Sequence, residues 1–502
     1  MMPLLAIRAD ADAKIGTGHV MRCLALAQEW LRQGGDVVFL GRIEAESLRQ
    51  RLVAEGCQVH PIAASYPDPA DTAGITAWLK GHEKTPGWLV LDGYHFDAAY
   101  HDAVRMTGWS LLVIDDYGHL PEYRSDILLN PNAYAEEITY KTAPETLRLL
   151  GSRFVPLRRE FQEMARQPKT TPETGRKILI TTGGTDPANV SGKVLQALSL
   201  VPQSVGLEIR IVVGSLNPHA EALAAQAAAA AFPVILLHSV SDMASLMHWA
   251  DLAISAAGST CWELACAGTP MVVTILADNQ VRVADALVKQ EVAVSLGWFD
   301  LWQPEQAATV IGEYMVNHAK RERAVAQGRK LVDGQGCERV VRAMRSFHFT
   351  LRLATENDCA LVYQWANDPL VRAASFNSTP IAWKEHCRWF AEKMTDPAHV
   401  FLIAVARDGQ PLGQVRFAID NGVALISVSL PEQARGIGLG PKLIMVACHW
   451  LVWERSVSMV VARIKARNAT SLNAFVKAGF QKTDNVNVGY EDEVAVVLDC
   501  RP

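Results

Sequence analysis

Short apolar runs without polar alternation punctuate the first third of the chain: LLAIRA (4–9), DVVFLG (36–41), WLVLDG (88–93), LLVIDD (111–116) and DILLNP (126–131). Runs of that kind read as strands buried on both faces of a parallel sheet. Between the first two lies GHVMRCLALAQEWLRQG, with Val20, Leu24, Ala27 and Leu31 at three- and four-residue spacing and Gly34-Gly35 at its end. That period predicts a helix stopped by the glycines. The stretch ARQPKTTPETGRK (165–177), polar and rich in Pro, Thr and Gly, reads as a linker. The alternation then restarts with KILITTGG (177–184), LEIRIVVG (207–214), FPVILLH (232–238), DLAISAAG (251–258) and TPMVVTIL (269–276), predicting a second doubly wound sheet. HAEALAAQAAAAAF (219–232) is expected to be a surface helix. A helical tail over 305–346 closes this half. From SFHFTLRLATENDC (346–359) onward the pattern changes. The runs VFLIAVARDG (400–409), PLGQVRFAID (411–420), ALISVSLP (424–431), MVVARI (459–464) and VAVVLD (494–499) carry polar interruptions. They predict antiparallel strands, with a helix after Pro431, in an α+β domain. The fold class is therefore α/β, with domains over 1–165, 175–345 and 348–502. A length of 502 residues agrees with three domains at ~150 residues each.

Composition narrows the functional classes. Hydrophobic residues make up 49% and charged residues 20%, the balance of an ordinary folded protein. A net charge of -5 gives no general attraction to nucleic acid, so no nucleic-acid partner is expected. No apolar stretch approaches the ~18 residues of a membrane span, and MMPLLAIRADADAKIG turns acidic after a short apolar run. Neither a membrane partner nor a signal peptide is expected. The 9 cysteines, an odd number without CxxC pairs or Cys/His clusters, predict reduced thiols in the cytoplasm. DAD (10–12) and DD (115–116) read as strand-end acids, and no metal site is expected.

Candidate chemistry collects at predicted strand ends, where ligands bind in parallel sheets. After the first strand, Gly16 and Gly18 free the backbone for a close ligand approach, and His19 opens the helix. The positive end of a helix favours a neutral imidazole, the form a general base needs. The alternative is a glycine turn whose histidine caps or packs. LDGYHFD places Asp92, Tyr94 and His95 at another strand end of this half. In the second half, Gly183, Gly184 and Thr185 of ITTGGTDPAN offer a pyrophosphate cradle, or a plain strand-to-helix turn. SAAGSTCWELACAGTPMV carries Gly258, Ser259 and Thr260 into a helix. One turn further in, Glu263 could take both ribose hydroxyls, or serve only as a first-turn helix acid. Asn279 and Gln280 follow the next strand and could face the same cleft. In the last domain, ISVSLPEQARGIGLGPKLI sets Gln433, Arg435, Gly436, Gly438 and Gly440 between strand and helix, a run of open N–H groups suited to a pyrophosphate. RNATSLNAFVKAGF follows, with Asn468 and Ser471 at a helix start and Gly479-Phe480 at its end.

These motifs carry two resemblances. Residues 1–345 resemble the UDP-sugar hydrolases of pseudaminic acid biosynthesis through IRADADAKIGTGHVMRC, LDGYHFD, TTGGTDPAN, AAGSTCWE and DNQ. IGTGHVMRC is specific to that group, whereas AAGST..E is shared with glycosyltransferases of the GT-B fold. The resemblance implies a GT-B pair of Rossmann-like domains. It further implies a substrate, UDP-2,4-diacetamido-2,4,6-trideoxy-β-L-altropyranose, with His19 activating water and no cofactor. Residues 348–502 resemble the GNAT N-acetyltransferases. QARGIGLG, which includes Ile437 and Leu439, matches their acyl-CoA pyrophosphate loop, and RNATSLNAFVKAGF matches the Asn-to-Gly-Phe segment. This implies acetyl-CoA as cosubstrate and, for the fusion, acetylation of the 4-amino UDP-sugar before hydrolysis. One departure stands out: the helix position that carries a tyrosine acid in many GNAT enzymes is Phe475. Two alternatives stay open. The first half could be a glycosyltransferase that passes its sugar to an acceptor. The GNAT domain could acetylate another amine, or only bind acetyl-CoA.

Overall fold

The strand nearest the N-terminus, β1 (Leu5–Ala9), is buried on both faces, as its lack of alternation requires. The computed structural model describes all residues except 1, 13–14, 83–85, 144, 203–205, 215–216, 239, 241, 456, 484–491 and 501–502. In it β1 pairs in parallel with β2 (Val37–Gly41) on one side and, across β3 (Gln58–Pro61) in chain order, with β4 (Trp88–Asp92) on the other. With β5 (Ser110–Ile114), β6 (Ile127–Asn130) and β7 (Leu147–Leu150) they form a sheet of order β3-β2-β1-β4-β5-β6-β7. The second sheet holds β8 (Lys177–Thr181), β9 (Glu208–Val213), β10 (Val234–His238), β11 (Leu252–Ala256), β12 (Met271–Ile275) and β13 (Ala293–Trp298). Its order is β10-β9-β8-β11-β12-β13, again all parallel. In both sheets the strand order reverses at the first strand. That switch point opens a crevice at the carboxyl ends, directly before His19 in one sheet and at Gly183 in the other.

Both sheets belong to one compact unit, Met1–Val340. The stretch read as a linker is tied down. The helix Arg159–Ala165 packs on the helix Thr260–Ala267. The Lys169 ammonium donates to the Ala250 carbonyl at 2.7 Å, and fully buried Arg321 donates to the Pro172 and Glu173 carbonyls. The alanine-rich helix Ala220–Ala228 buries only Leu223, as a surface helix would. Among the described residues no helix is long and apolar enough to cross a membrane. All nine cysteines are unpaired thiols.

Three strands of these sheets escape the hydrophobic pattern: β3, β7 and β13. Each is an edge strand. β3 reads QVHP with no buried side chain, and edge strands tolerate the polarity and proline that protect them from pairing with other chains. β13 follows a register shift in β12 and contains Gly297 at φ +77°.

The second unit, Val341–Pro502, is a mixed sheet of order β14-β15-β16-β17-β18-β20-β19. Its strands are β14 (Phe349–Leu353), β15 (His399–Ala406), β16 (Pro411–Asp420), β17 (Val423–Ser429), β18 (Met459–Lys465), β19 (Gln481–Thr483) and β20 (Glu493–Asp499). The antiparallel expectation fails at one place: β17 and β18 are parallel. The helix Leu439–Glu454 between them carries the chain back, which a parallel pair needs. Their pairing stops at Ile426–Ala462, although β17 runs on to Ser429 and β18 to Lys465. Beyond that point the strands part. Ser427, Val428 and Ser429 pair only with β16.

Candidate active sites

The first crevice is built around one buried carboxylate. Gly16, at φ +75°, turns the chain after β1, and the helix Gly18–Arg32 begins at once. A Cβ at Gly18 would meet nothing within 4 Å, so the backbone here lies open. His19, in the first turn, is 13% exposed, and its Nδ1 lies 2.7 Å from Oδ1 of Asp92, the last residue of β4, which is fully buried. One helical turn on, Arg22 clamps the same carboxylate through Nε at 2.6 Å and Nη2 at 2.7 Å. Burial alone would raise the Asp92 pKa, but Arg22 and His19 outweigh it and hold the carboxyl well below the usual range. A carboxylate accepts, so in the neutral ring it is His19 Nδ1 that carries the proton and Nε2 that holds the lone pair. Among the described residues nothing occupies that Nε2. Asp92 thus stands behind the histidine, not on the open surface where a ligand contact was expected.

Tyr94 lies edge-on to His19, with ring centroids 5.0 Å apart, and its hydroxyl donates to Asp116. Burial, then the Asp116 charge, raises the Tyr94 pKa, so its proton stays on the phenol. Asp116 also accepts from Arg22 at 2.8 Å and from Asn132 at 2.9 Å. Its neighbour Asp115 turns inward and accepts from His119 Nδ1, Tyr123, Tyr140 and the Gly118 N–H, all within 2.7 Å. His119 stands 5.6 Å from Tyr94, with Nε2 buried and unpartnered. Asp10 is likewise engaged, by Arg8 and the Arg42 N–H.

The second crevice is lined by backbone. Gly183 takes φ +104°, which a side chain would strain. Gly183, Gly184 and Thr185 are exposed, and their N–H groups meet no protein acceptor among the described residues. Gly214 explains how the loop lies so close to β9: a Cβ there would sit 1.8 Å from the Gly184 carbonyl. Ser259 caps the helix Thr260–Ala267 without using its hydroxyl, leaving it and the Ser259 and Thr260 N–H groups open, while the Cys261 and Trp262 N–H groups donate to the Gly258 and Ser259 carbonyls at 3.0 Å. The Gly258 N–H is taken by the Ala256 carbonyl. Glu263 accepts from Arg158 Nη2 at 3.0 Å, and burial raises its pKa against that arginine. Asn279 is exposed in the turn Asp278–Gln280, whereas Gln280 accepts from the Leu276 N–H at 2.9 Å and aims its amide nitrogen at Gly258. The two crevices connect through Arg282. It lies over the Tyr134 ring at 4.5 Å, and the Tyr134 hydroxyl donates to the Asp116 carbonyl.

In the second unit, Gly436 (φ +71°) and Gly438 (φ +78°) turn the chain into the helix Leu439–Glu454. The N–H groups of Ile437, Gly438, Leu439 and Gly440 meet no protein acceptor among the described residues, which is the nest an anion needs. Gln433 is exposed on the turn before it. Arg435 does not join the nest. Its guanidinium reaches the Leu430 carbonyl at 2.9 Å and Asp368 at 2.7 Å. Asn468 caps the helix Ala469–Lys477 by accepting from the Ser471 N–H at 3.1 Å, so both serve the helix start. Phe475 is buried and packs edge-on to Phe480 at 5.0 Å.

Several of these groups were not singled out from the sequence. Arg22 is three residues beyond His19, the spacing that shares a helix face, and so was within reach. Asp116 was visible in the DD pair, but only the fold separates its role from that of Asp115. Nothing local marks Arg158, His119 or Asn132.

Residues 178–331 match the glycosyltransferase family 28 C-terminal domain, and residues 348–481 match the acetyltransferase (GNAT) domain. An uncharacterized protein of Methanocaldococcus jannaschii is 22% identical over 95% of this chain and 97% of its own length. The spore coat polysaccharide biosynthesis protein SpsG of Bacillus subtilis is 31% identical over 39% of this chain and 58% of its own length. The UDP-2,4-diacetamido-2,4,6-trideoxy-beta-L-altropyranose hydrolase of Campylobacter jejuni is 27% identical over 43% of this chain and 71% of its own. The chain therefore joins a nucleotide-sugar enzyme of the glycosyltransferase 28 type to a GNAT acetyltransferase domain, for which acetyl-CoA is the cosubstrate.

Proposed function

We propose that residues 1–165 and 175–345 hydrolyse UDP-2,4-diacetamido-2,4,6-trideoxy-β-L-altropyranose to UDP and the free sugar. In this reading residues 348–502 first acetylate its 4-amino precursor. The observation that carries the reading is His19: oriented by Asp92 through Nδ1, with Nε2 open at the switch-point crevice. Nε2 takes a proton from water as the water oxygen bonds to the anomeric carbon and the bond to the diphosphate breaks. Attack from the face opposite the leaving group inverts that centre. The exposed N–H groups of Gly183, Gly184 and Thr185 and the open start of the Thr260–Ala267 helix receive the diphosphate and its developing charge. Glu263 takes the ribose hydroxyls, and Tyr94 and Asn279 orient sugar and water. The unpaired thiols support a reducing compartment such as the cytoplasm.

In the acetyltransferase, the 437–440 nest takes the CoA pyrophosphate. The unpaired edge of β17 at Ser427–Ser429 offers N–H groups to the thioester oxygen as the amine attacks. Buried Phe475 supplies no acid, so the thiolate leaves without a tyrosine donor.

The test is to give the purified chain UDP-4-amino-4,6-dideoxy-β-L-AltNAc, with and without acetyl-CoA, and to follow CoA, UDP and the anomeric signals by NMR. CoA release followed by UDP release is expected. His19→Ala should lower UDP release by ~10²–10⁴ with UDP binding unchanged. Near-normal release by that variant refutes the general base. A product with a new glycosidic bond refutes hydrolysis in favour of sugar transfer.

A further inference from the structure

Two half-buried arginines in the second unit, each with a buried, unpartnered Nε, lack a carboxylate partner among the described residues. Arg416, on β16, extends on the sheet face that also carries Phe401 and Ser427, its register partners on either side. Its guanidinium lies 5.0 Å from the Trp389 ring centroid and 5.6 Å from that of Phe401. Nη2 donates to Ser427 Oγ at 2.9 Å, and Nε is buried without a partner. Burial, then the nearby charge of Arg372, pulls its pKa down to about 10. Arg372 stands on the short helix Pro369–Ala374 and donates only to the Asn377 and Thr379 carbonyls and Ser375 Oγ; its Nε is also buried and unpartnered. Among the described residues neither arginine has an acidic partner. Both are placed by the parting of β17 and β18. Ser427 is the first residue past the last paired position. The helix bearing Arg372 is tied to one side of the gap by Asp368–Arg435 and to the other by Lys465, which donates to the Ala373 carbonyl at 3.0 Å.

We propose that Arg416 and Arg372 form the acceptor subsite of the acetyltransferase and take a phosphate group carried by the amine substrate. The inference rests on the reading of this unit as an acetyltransferase acting at the β17–β18 gap. It deepens that reading by making the acceptor an anion, a phosphorylated or nucleotide-linked amino sugar. A cationic acceptor such as a polyamine is disfavoured. The chemistry follows from the donors. Two guanidinium forks with free N–H groups match phosphate oxygens, and a bound phosphate restores the charge balance that burial denies them.

Phosphate could also come from CoA itself, so the experiment separates the two sources. The full-length chain, saturated with CoA, is titrated with UDP by calorimetry, and CoA binding is measured separately. Two UDP sites per chain are expected. Arg416→Gln and Arg372→Gln should each weaken one of them at least ~10-fold, a loss expected for a charge-assisted contact, with CoA affinity unchanged. Arg416→Lys, which keeps the charge but not the fork, should fall between. Because Arg416 packs against Trp389 and Phe401, Arg372, which has no such aromatic contact among the described residues, decides if Arg416→Gln lowers the melting temperature. Unaltered UDP binding in Arg372→Gln overturns the proposal. So does a loss of CoA affinity in a chain that melts normally, which would assign the arginines to CoA. Failure of CoA release with the amino sugar nucleotide, with two UDP sites intact and one lost in the variants, would instead count against the proposed order of reactions.

Discussion

Asp92→Asn tests the dyad at its least replaceable point. The carboxylate accepts from His19 Nδ1 at 2.7 Å, from Arg22 at 2.6 and 2.7 Å, and from the Cys23 thiol at 3.5 Å. The isosteric amide has one acceptor oxygen and an NH2 group. Arg22 donates to both oxygens, so the amide oxygen keeps the Oδ2 position, where Arg22 Nε and the Cys23 thiol donate, and the NH2 takes the Oδ1 position facing His19 Nδ1, at the loss of the Arg22 Nη2 bond. His19 must then accept at Nδ1 and carry its proton on Nε2, the atom that should receive one from water. In a serine protease the same substitution costs ~10⁴ in kcat through the wrong tautomer, and general-base contributions run ~10²–10⁴. A fall of about 10³ in kcat is expected here, or about 4 kcal/mol of barrier. The affinity for UDP should stay within about 2-fold, because the diphosphate cradle we propose lies on the other sheet. Arg22 keeps Asp116 at 2.8 Å, so the fold should survive, less stable by about 3 kcal/mol for the weakened buried pair. Single-turnover UDP release, UDP titration and thermal melting measure the three quantities. A variant within about 5-fold of the native kcat refutes the dyad, and a parallel loss of UDP affinity refutes the division of labour between the sheets.

Acid should weaken the first unit in two stages. His101 is fully buried and burial lowers it to about 4, so the unfolded chain binds its proton first, and about 3 kcal/mol of stability is lost as pH falls from ~6.5 to ~4. Asp10 and Asp115 are held at about 2, the cost of burial being outweighed by His95 and Arg8 for the first and by His119, Tyr140 and Tyr123 for the second. Each therefore stabilises fully above ~4 and loses about 2 kcal/mol as pH drops further. Urea unfolding at pH 8, 6, 5 and 4 checks the order; a flat stability from 8 to 5 contradicts it. Phe475→Tyr should not speed CoA release, and should lower stability by about 1–3 kcal/mol by burying an unpaired hydroxyl against Phe480. A faster variant that melts normally would mean that the hydroxyl reaches the thiolate.

The central strands of both parallel sheets were legible because burial on two faces leaves them almost wholly apolar, as in LAIRA and LAISA, whose single polar residues, Arg8 and Ser255, are themselves buried. Edge strands such as QVHP have no such constraint and look like loops. The glycine loops were legible because open backbone leaves a mark in residue type. Side-chain partnerships left none. Asp115 and Asp116 are adjacent and identical, yet one serves three core side chains and the other faces Tyr94 and Arg22. Arg435 sits where a phosphate ligand was expected but is claimed by Asp368, sixty-seven positions earlier in the chain. The parallel step between β17 and β18 was hidden because pairing direction depends on the crossover helix, not on the strand residues.

The tie between Asp368 and Arg435 gives the acetyltransferase a thermodynamic property. One end anchors the helix that carries Arg372, and the other begins the loop of open N–H groups at 437–440. A ligand that draws Arg435 away from Asp368 loosens the roof over the gap between β17 and β18. A ligand that fixes the roof holds Arg435 where it is. If the loop takes CoA and the gap takes the acceptor, as proposed, this ion pair couples the two ligands without their touching. Linkage requires the effect to be mutual: whatever factor CoA imposes on the affinity of the acceptor, the acceptor imposes on CoA.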